Sequence, residues 1–449
     1  MKKILIAVAA TCLAVAGLAA CGNSNNGGGT KSASIYFLNF KPEVAEVWTQ
    51  IAADYKAETG IDVKIDTAAS GTYEQTLKSE IAKSNPPTIF QINGPVGYNT
   101  WKTYTADIKD SWLYQHLSDP GLAVTDGDGV FGVPYAVEAY GIIYNDAIMQ
   151  QYFALPDKAV SLNDATEIQD FATLKQVAED MSKHLDALGI EGVFSATSLQ
   201  PGEDWRWQTH LANVPFHYEF LADGINLVDG TPPEVKFAYN ENFKNLFDLY
   251  LDNSTTSPNQ LGSITVDLAM AEFAAGQTAM VQNGNWAWSQ INGMDGNTVQ
   301  AADIKFLPLY TGMPEDNSQG LCVGTENYFS INSQISDESK QASLAFLEWV
   351  FSSETGMKYV QNDLGFVAPF DTFGADQTPD DPLAQQMNVW MNQDGVSSVP
   401  WDFTVFPGQQ FKDQFGGYLL QYAQGQMDWA TVVSNVVQDW QYEAANLAG

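Results

Sequence analysis

Arginine is almost missing from this chain. Arg206 is the sole one in 449 residues, and lysine and arginine together number 20 against 54 acids. The formal charge of −34 repels phosphate backbones and argues against nucleic acid as a partner. Sulfur is scarce as well, with Cys12, Cys21 and Cys322 the only cysteines. Four histidines and these cysteines, without close ligand spacing, predict neither a metal site nor a cofactor. The apolar run from Ile4 to Leu18 is too short, and wrongly flanked, to span a membrane. After Thr30 there is no long low-complexity linker and no internal repeat.

What is present begins with a processing signal. Met1-Lys2-Lys3 is a basic start, Ile4 to Leu18 an apolar stretch, and Leu18-Ala19-Ala20-Cys21 resembles a bacterial lipobox. That resemblance implies cleavage before Cys21, with residues 1–20 as signal peptide and lipid on Cys21. Residues 21–33, rich in Gly and Asn, cannot bury a core and read as a flexible tether. Cleavage removes Lys2 and Lys3 and no acid, so −34 becomes −36. Cys322 is then the one cysteine left besides the anchor, and no internal disulfide is possible. The expected location is the outer face of the cytoplasmic membrane, reached through the lipid alone.

The remaining length is too great for a single core and predicts two lobes. Strand and helix patterns alternate from the start. Ser34 to Phe40 and Asp62 to Asp66 read as strands. Between them Val44, Val47, Trp48, Ile51 and Tyr55 share a helix face that Gly60 ends. A further step runs through Tyr73–Ala82 and Thr88–Ile92. This βαβα rhythm predicts an α/β sheet with parallel neighbours, whose ligands sit beyond the carboxyl ends of the strands. Asn39, Phe40, Lys41 and the run Gln91-Ile-Asn-Gly fall there. Further helices are expected over Phe171–Leu188, Phe243–Leu251, Leu268–Ala275 and Glu338–Phe351, and over Phe411–Gln441 with a split near Gly425. Strands are expected at Gly192–Ala196 and from Thr278 to Asn283.

One stretch organises the chain. Asp126-Gly-Asp-Gly-Val reads as a tight hairpin turn, since Asp-Gly supplies positive φ. Pro134 then suits a strand edge or a crossing point. After it Val137, Ala139, Gly141 and Ile143 alternate with Glu138, Tyr140, Ile142 and Tyr144, a strand with one carboxylate set inside it. A buried carboxylate is costly unless it is paired or lines a cleft.

Pro134-Tyr-Ala-Val-Glu-Ala-Tyr-Gly-Ile-Ile-Tyr-Asn and Phe273-Ala-Ala-Gly-Gln-Thr-Ala-Met-Val-Gln-Asn-Gly-Asn-Trp-Ala-Trp-Ser resemble segments of the maltose-binding-protein family of extracellular solute-binding proteins. The helix Lys340 to Val350 with Ser352-Ser-Glu-Thr-Gly is similar too. The resemblance implies the two-lobe, type II periplasmic-binding-protein α/β fold. It also implies a monomer that closes on an oligosaccharide and hands it to an ABC permease, and no catalysis. Crossings between lobes are implied near Val137, near Thr325–Tyr328 and near Val350. The first lobe would be 34–137 plus 327–350, the second 138–326 plus 351–449.

The resemblance also implies a site. Trp286 matches a tryptophan that stacks on a sugar ring, and a large flat ring suits the apolar C–H face of a pyranose. Trp288 is expected to be core. Glu138 matches a glutamate that accepts from sugar hydroxyls, and charge-assisted bonds of that kind are strong. Glu203, Trp205, Arg206 and Trp207 lie where the family carries an aromatic and acidic loop. Arg206 either orients ligand hydroxyls or a sugar carboxylate, or pairs locally with Glu203 or Asp204. Trp401 lies at a late aromatic platform, Glu326 at the second crossing. Asn39, Lys41 and Asn93 stand at the first-lobe ligand positions. Asn93-Gly94 replaces an acidic and basic pair of the family, which sets maltose itself apart from carbohydrate in general. Two rivals stay open: a glycoside-processing enzyme whose paired carboxylates are drawn from Glu138, Glu203, Asp204 and Glu326, and a binder of a cationic solute or peptide suited to the acidic charge.

Overall fold

The computed structural model describes residues 34–448 apart from 70, 228, 229, 375, 376 and 378. The expected signal peptide, tether and lipidated Cys21 fall outside the described residues.

Two sheets, each with its own cores, account for the strands. The first five strands, β1 (Ile35–Asn39), β2 (Val63–Thr67), β3 (Ile89–Asn93), β4 (Val124–Asp126) and β5 (Gly129–Pro134), lie in one sheet. The next five lie in the other: β6 (Glu138–Asn145), β7 (Gly192–Phe194), β8 (Thr278–Gly284), β9 (Ile304–Leu307) and β10 (Gln319–Gly324). β11 (Asn327–Ile331) returns to the first sheet and β12 (Ser397–Pro400) to the second. The orders are β2-β1-β3-β11-β5-β4 and β12-β10-β6-β8-β7, with β9 also paired to β6.

In the first sheet β1 lies parallel to β2 and β3, and in the second β7 lies parallel to β8 and β10 to β12. The returning β11 runs antiparallel to both β3 and β5. The helix Ala45–Thr59 carries the predicted apolar face, burying Trp48, Ile51 and Tyr55, and stops at Gly60 with φ +78°. The Asp-Gly hairpin forms as its residues dictate: Asp126 pairs with Gly129 and Gly127 has φ +57°.

β6 shows how a period of two builds two cores at once. Tyr140, Ile142 and Tyr144 enter the large core beside β7 and the Trp207 and Phe247 region. Ala139 and Ile143 enter a second one with Met270, Phe273 and Val281. The first sheet is likewise packed on both faces, Phe37, Ile89 and Phe329 on one and Leu38, Phe90 and Ile92 on the other.

The chain passes between sheets at Tyr135–Val137, after Pro134 has ended β5, and again at Thr325–Glu326. A third passage is expected near Val350. Phe346, Val350, Val360, Phe366 and Phe370 all pack into the first sheet's core, and Val137 bridges Val367. Val367 packs against a second-sheet core, and Leu383 and Met387 are buried in it. The stripe expected over Phe171–Leu188 is also two helices, Phe171–Met181 and Leu185–Leu188.

Candidate functional site

β1, β3 and β6, the β10–β11 crossing and the end of β8 bring their termini to one place between the two sheets. Lys41 follows β1, and its backbone is locked by Asn39, whose Nδ2 donates to the Lys41 carbonyl at 2.6 Å while its Oδ1 accepts from Lys41 N at 3.1 Å. Its ammonium reaches across to Glu138, the first residue of β6, at 2.7 Å, and lies 3.6 Å from Glu43. Burial alone would weaken that ammonium's hold on its proton. The surrounding carboxylates of Glu138 and Glu43 win, and the Lys41 pKa is raised. Glu43 is pushed up by burial against the pull of Lys41.

The two sequence stretches singled out above are clamped together. Asn285 N donates to the Ala139 carbonyl at 3.0 Å, and Asn285 Oδ1 accepts from Ala139 N at 2.8 Å. That pair of hydrogen bonds fixes Trp286 near the start of β6. A Cβ at Gly284 would collide with the Trp286 ring, so only glycine lets the indole fold back over the strand end. The Lys41 ammonium sits 5.0 Å from the centroid of that indole, a cation–π contact. The helix Ala287–Asn292 starts at the next residue, so Trp288 does not face the same way as Trp286; it packs on the second-sheet core that holds Met270.

Around Trp286 stand four more rings: Tyr140 at 6.0 Å, His210 at 6.0 Å, Trp205 at 6.2 Å and Trp401 at 6.3 Å between centroids. Tyr140 and His210 stack at 4.0 Å with planes 7° apart. Burial holds the His210 imidazole well below its usual pKa, so the stacked ring is neutral. Trp401 is held by Asn213, which donates to the Pro400 carbonyl at 2.9 Å and accepts from Phe403 N at 2.9 Å. The Trp401 indole N–H is buried without a partner.

Close by, Asn93 Nδ2 donates to Glu326 at 3.1 Å, and Asn93 Oδ1 is buried and unpartnered. Burial raises the Glu326 pKa and lowers that of Lys412, whose charge faces Glu326 and Glu74. Gln91 ties this region to Tyr135 at 2.7 Å.

Of the residues expected at the site, the structure therefore gathers Asn39, Lys41, Glu138, Trp205, Trp286 and Trp401, with Asn93 and Glu326 as a neighbouring pair. Three others lie elsewhere. Trp207 is fully buried, its indole donating to the Ser198 carbonyl at 2.9 Å among Phe247 and Tyr250, so its ring is core. Glu203 accepts from Val266 N at 3.1 Å, at the start of the helix Val266–Ala274. Arg206 is 1% exposed and donates to the Val266 carbonyl at 3.2 Å; among the described residues no carboxylate lies within ion-pair distance, so neither expected local salt bridge, with Glu203 or Asp204, forms. Cys322 is a buried thiol, pushed up to about 12 by burial.

Tyr140, His210 and Lys412 were not anticipated. Tyr140 was legible, since period two puts it on the Glu138 face of β6. His210 sits in a π-helical turn, Arg206–Leu211, which breaks the 3.6-residue pattern by which a helix face is read. Lys412 carries no local signal.

Two α/β sheets, each sandwiched between cores and joined by crossing segments with polar and aromatic groups between them, define a two-lobe type II binding fold. The chain belongs to the bacterial extracellular solute-binding protein family, whose model matches residues 50–386. Among solved structures it is similar to a chitin oligosaccharide binding protein (17% identity, 92% of this chain and 99% of that one, TM-score 0.70). It is similar to the same degree to the solute-binding protein RafE in complex with raffinose (17%, 92% and 100%, TM-score 0.70). Maltose-bound MalE3 of T. maritima is a third (16%, 91% and 99%, TM-score 0.66). Among the described residues no helix is long and apolar enough to cross a membrane.

Proposed function

We propose that this protein captures an oligosaccharide between its two lobes, leaves it chemically unaltered and delivers it to an ABC importer permease. The observation that carries this reading is the pairing of an aromatic cluster, Trp205, Trp286 and Trp401, with the Lys41–Glu138 ion pair at one point between the sheets. Flat rings suit the C–H faces of sugars, and charged donors and acceptors suit their hydroxyls. Lys41 now rests over the face of Trp286; a bound sugar takes that face, and Lys41 and Glu138 turn to its hydroxyls. The similar structures described with chitin oligosaccharide, raffinose and maltose support carbohydrate as the class.

The lobes divide, in this reading, at Tyr135–Val137, at Thr325–Glu326 and between Phe370 and Leu383. Asn39, Lys41 and Asn93 come from the first lobe, Glu138, Trp205, Trp286 and Trp401 from the second. Contacts from both sides are what make ligand binding favour closure, because a ligand shifts an equilibrium only by its differential affinity. A lipid on Cys21 holds the protein at the outer face of the membrane, within reach of the permease.

The test is thermal-shift screening against a glycan panel, followed by calorimetry and analysis of the recovered sugar. A saturable oligosaccharide with Kd near about 1 μM, recovered intact, is the expected result. Cleaved product, or binding only of cationic solutes that weakens steeply with salt, overturns it.

A further inference from the structure

The two sheets meet again beyond the Trp286 cluster. The chain crosses between them from β5 to β6 and from β10 to β11, and strand order measures distance from those crossings. In the first sheet β1, which leads to Lys41, is separated from β11 by β3, and β2 is the edge strand beyond it. In the second sheet β8, which leads to Trp286, lies beside β6, and β7 is the edge strand beyond it. At about 4.8 Å per strand, β2 stands about 14 Å from β11 and β7 about 10 Å from β6.

The stretches of chain that follow these two edge strands touch. A Cβ on Gly71, after β2, would fall 2.6 Å from the carbonyl oxygen of Gly202, after β7, and 2.9 Å from its Cα. Both residues have positive φ, +67° and +85°, a conformation that glycine adopts without steric cost. The contact is backbone on backbone, so no rotamer change makes room for a side chain at Gly71; the two stretches must part. A contact nearer the crossings has the same form, since a Cβ on Gly94, after β3, would fall 3.1 Å from the Thr404 Cβ.

Opposite charges flank the outer contact. Glu74 lies in the first turn of the helix Tyr73–Ile81 and accepts from Trp101 Nε1 at 3.0 Å. Lys412 belongs to the helix Gln409–Ala423 of the other sheet's large core. Burial raises the Glu74 pKa and lowers that of Lys412, and each charge offsets part of the other's shift. The pair therefore attracts across the seam.

We propose that Gly71 and Gly202, with Glu74 and Lys412 beside them, seal the cleft beyond the Trp286 platform, so that a captured glycan ends at this seam instead of threading out between the edge strands. This rests on the capture reading above and adds the length of the ligand. The crossings bound the cleft at one end and the seam at the other, a run of about 10–14 Å that admits a short oligosaccharide and not a stretch of polymer.

The test compares Gly71→Ala with Gly60→Ala, which adds the same methyl at φ +78°, where it meets nothing within 4 Å. Calorimetry and small-angle scattering use maltotriose against maltoheptaose and raffinose against verbascose, each pair differing in length. In the parent the trisaccharide that binds should do so at least about ten-fold more tightly than its longer partner. Gly71→Ala should raise that trisaccharide's Kd at least about ten-fold over Gly60→Ala, leave a larger radius of gyration at saturation and narrow the preference for the short chain. Lys412→Gln removes the attraction without straining the backbone and should move all three in the same direction, which keeps the test open if Gly71→Ala folds poorly. Equal affinity for long and short chains in the parent, a Gly71→Ala protein that matches Gly60→Ala, or a Lys412→Gln protein that matches the parent overturns the proposal and leaves capture intact. A parent that binds none of the four sugars removes capture, and the seal with it.

Discussion

Lys41 Nζ and Glu138 Oε1 lie 2.7 Å apart, buried, one contributed by each sheet. In a fixed interior, removing one partner of such a pair costs about 3–5 kcal/mol, because the other charge is left buried. In the proposed reading the groups come from opposite lobes, and opening the lobes returns the survivor to water. Glu138→Gln and Lys41→Met should each therefore favour the open arrangement more than the unfolded chain. The expected outcome is a larger radius of gyration by small-angle scattering in either single variant, with a modest fall in Tm, and partial recovery in the double variant. Equal radii in all four proteins would show that the pair does not govern closure.

Trp286 is half-buried, folded over Gly284 and packed against the edge of the large core. Trp286→Ala should leave the free protein folded and cost about 2 kcal/mol or more in ligand binding, about 30-fold in Kd. Calorimetry on the best glycan measures the affinity and thermal melting the fold. Unfolding, with normal binding by the folded fraction, would place the ring among the core residues instead.

In the proposed reading the lipid on Cys21 sets where the protein is found. Cys21→Ala should appear in the medium or as uncleaved precursor, read by membrane fractionation and intact mass. A processed variant that still partitions with membranes would end the lipid-anchor reading.

Much of this arrangement is legible in local residue patterns. The Asp126–Gly129 hairpin, the stop at Gly60 and the alternation of β6 each follow from one turn's or one strand's own stereochemistry. The third passage between sheets does not. The amphipathic pattern of residues 337–352 says that a helix buries one face, not which of two cores receives it. Phe366 and Phe370 lie in irregular chain with no period to read, and they keep the backbone in the first core. Trp207 shows the same limit from another side. In the run Trp205-Arg-Trp two tryptophans look equivalent, yet the helical turn sends one to the cleft and the other under Tyr250.

Arg206 follows from that turn. Its charge is felt by Tyr140 and Tyr250, whose hydroxyls are buried without partners, and its own Nε has none. Burial lowers its pKa, and only the Val266 carbonyl accepts from it. Arg206→Lys keeps the charge and loses the planar fork. Stability should fall by about 1–3 kcal/mol, the usual cost of unsatisfied buried polar groups, while the folded protein's glycan affinity changes less than about three-fold, that is by less than about 1 kcal/mol. Denaturant melts and calorimetry separate the two. A large affinity loss at unchanged stability would put the guanidinium on the ligand.

Asp204 makes stability depend on pH in a direction opposite to the usual carboxylate. It is 2% exposed, its Oδ1 has no partner, and a Cβ at Gly416 would collide with its carboxylate, so no bulk separates it from the helix Gln409–Ala423. Burial, with Asp413 adding repulsion, pushes its pKa from 3.8 to about 7. A raised carboxyl pKa means that the folded state holds its proton more tightly than the unfolded chain. The stabilisation is complete below about pH 3.8 and is lost as pH rises to about 7. Asp204→Asn keeps the shape and one acceptor oxygen and never ionises. Against the parent it should show no advantage near about pH 4, a gap that opens from there, and a plateau of up to about 4 kcal/mol above about pH 7. His210 moves the other way, since its depressed pKa costs stability as pH falls through 6.5, but it is common to both proteins and cancels in the difference. Urea melts of parent and variant at matched pH values give the gap directly. A gap that is the same at every pH, or that closes as pH rises, would show that Asp204 ionises freely in the folded protein.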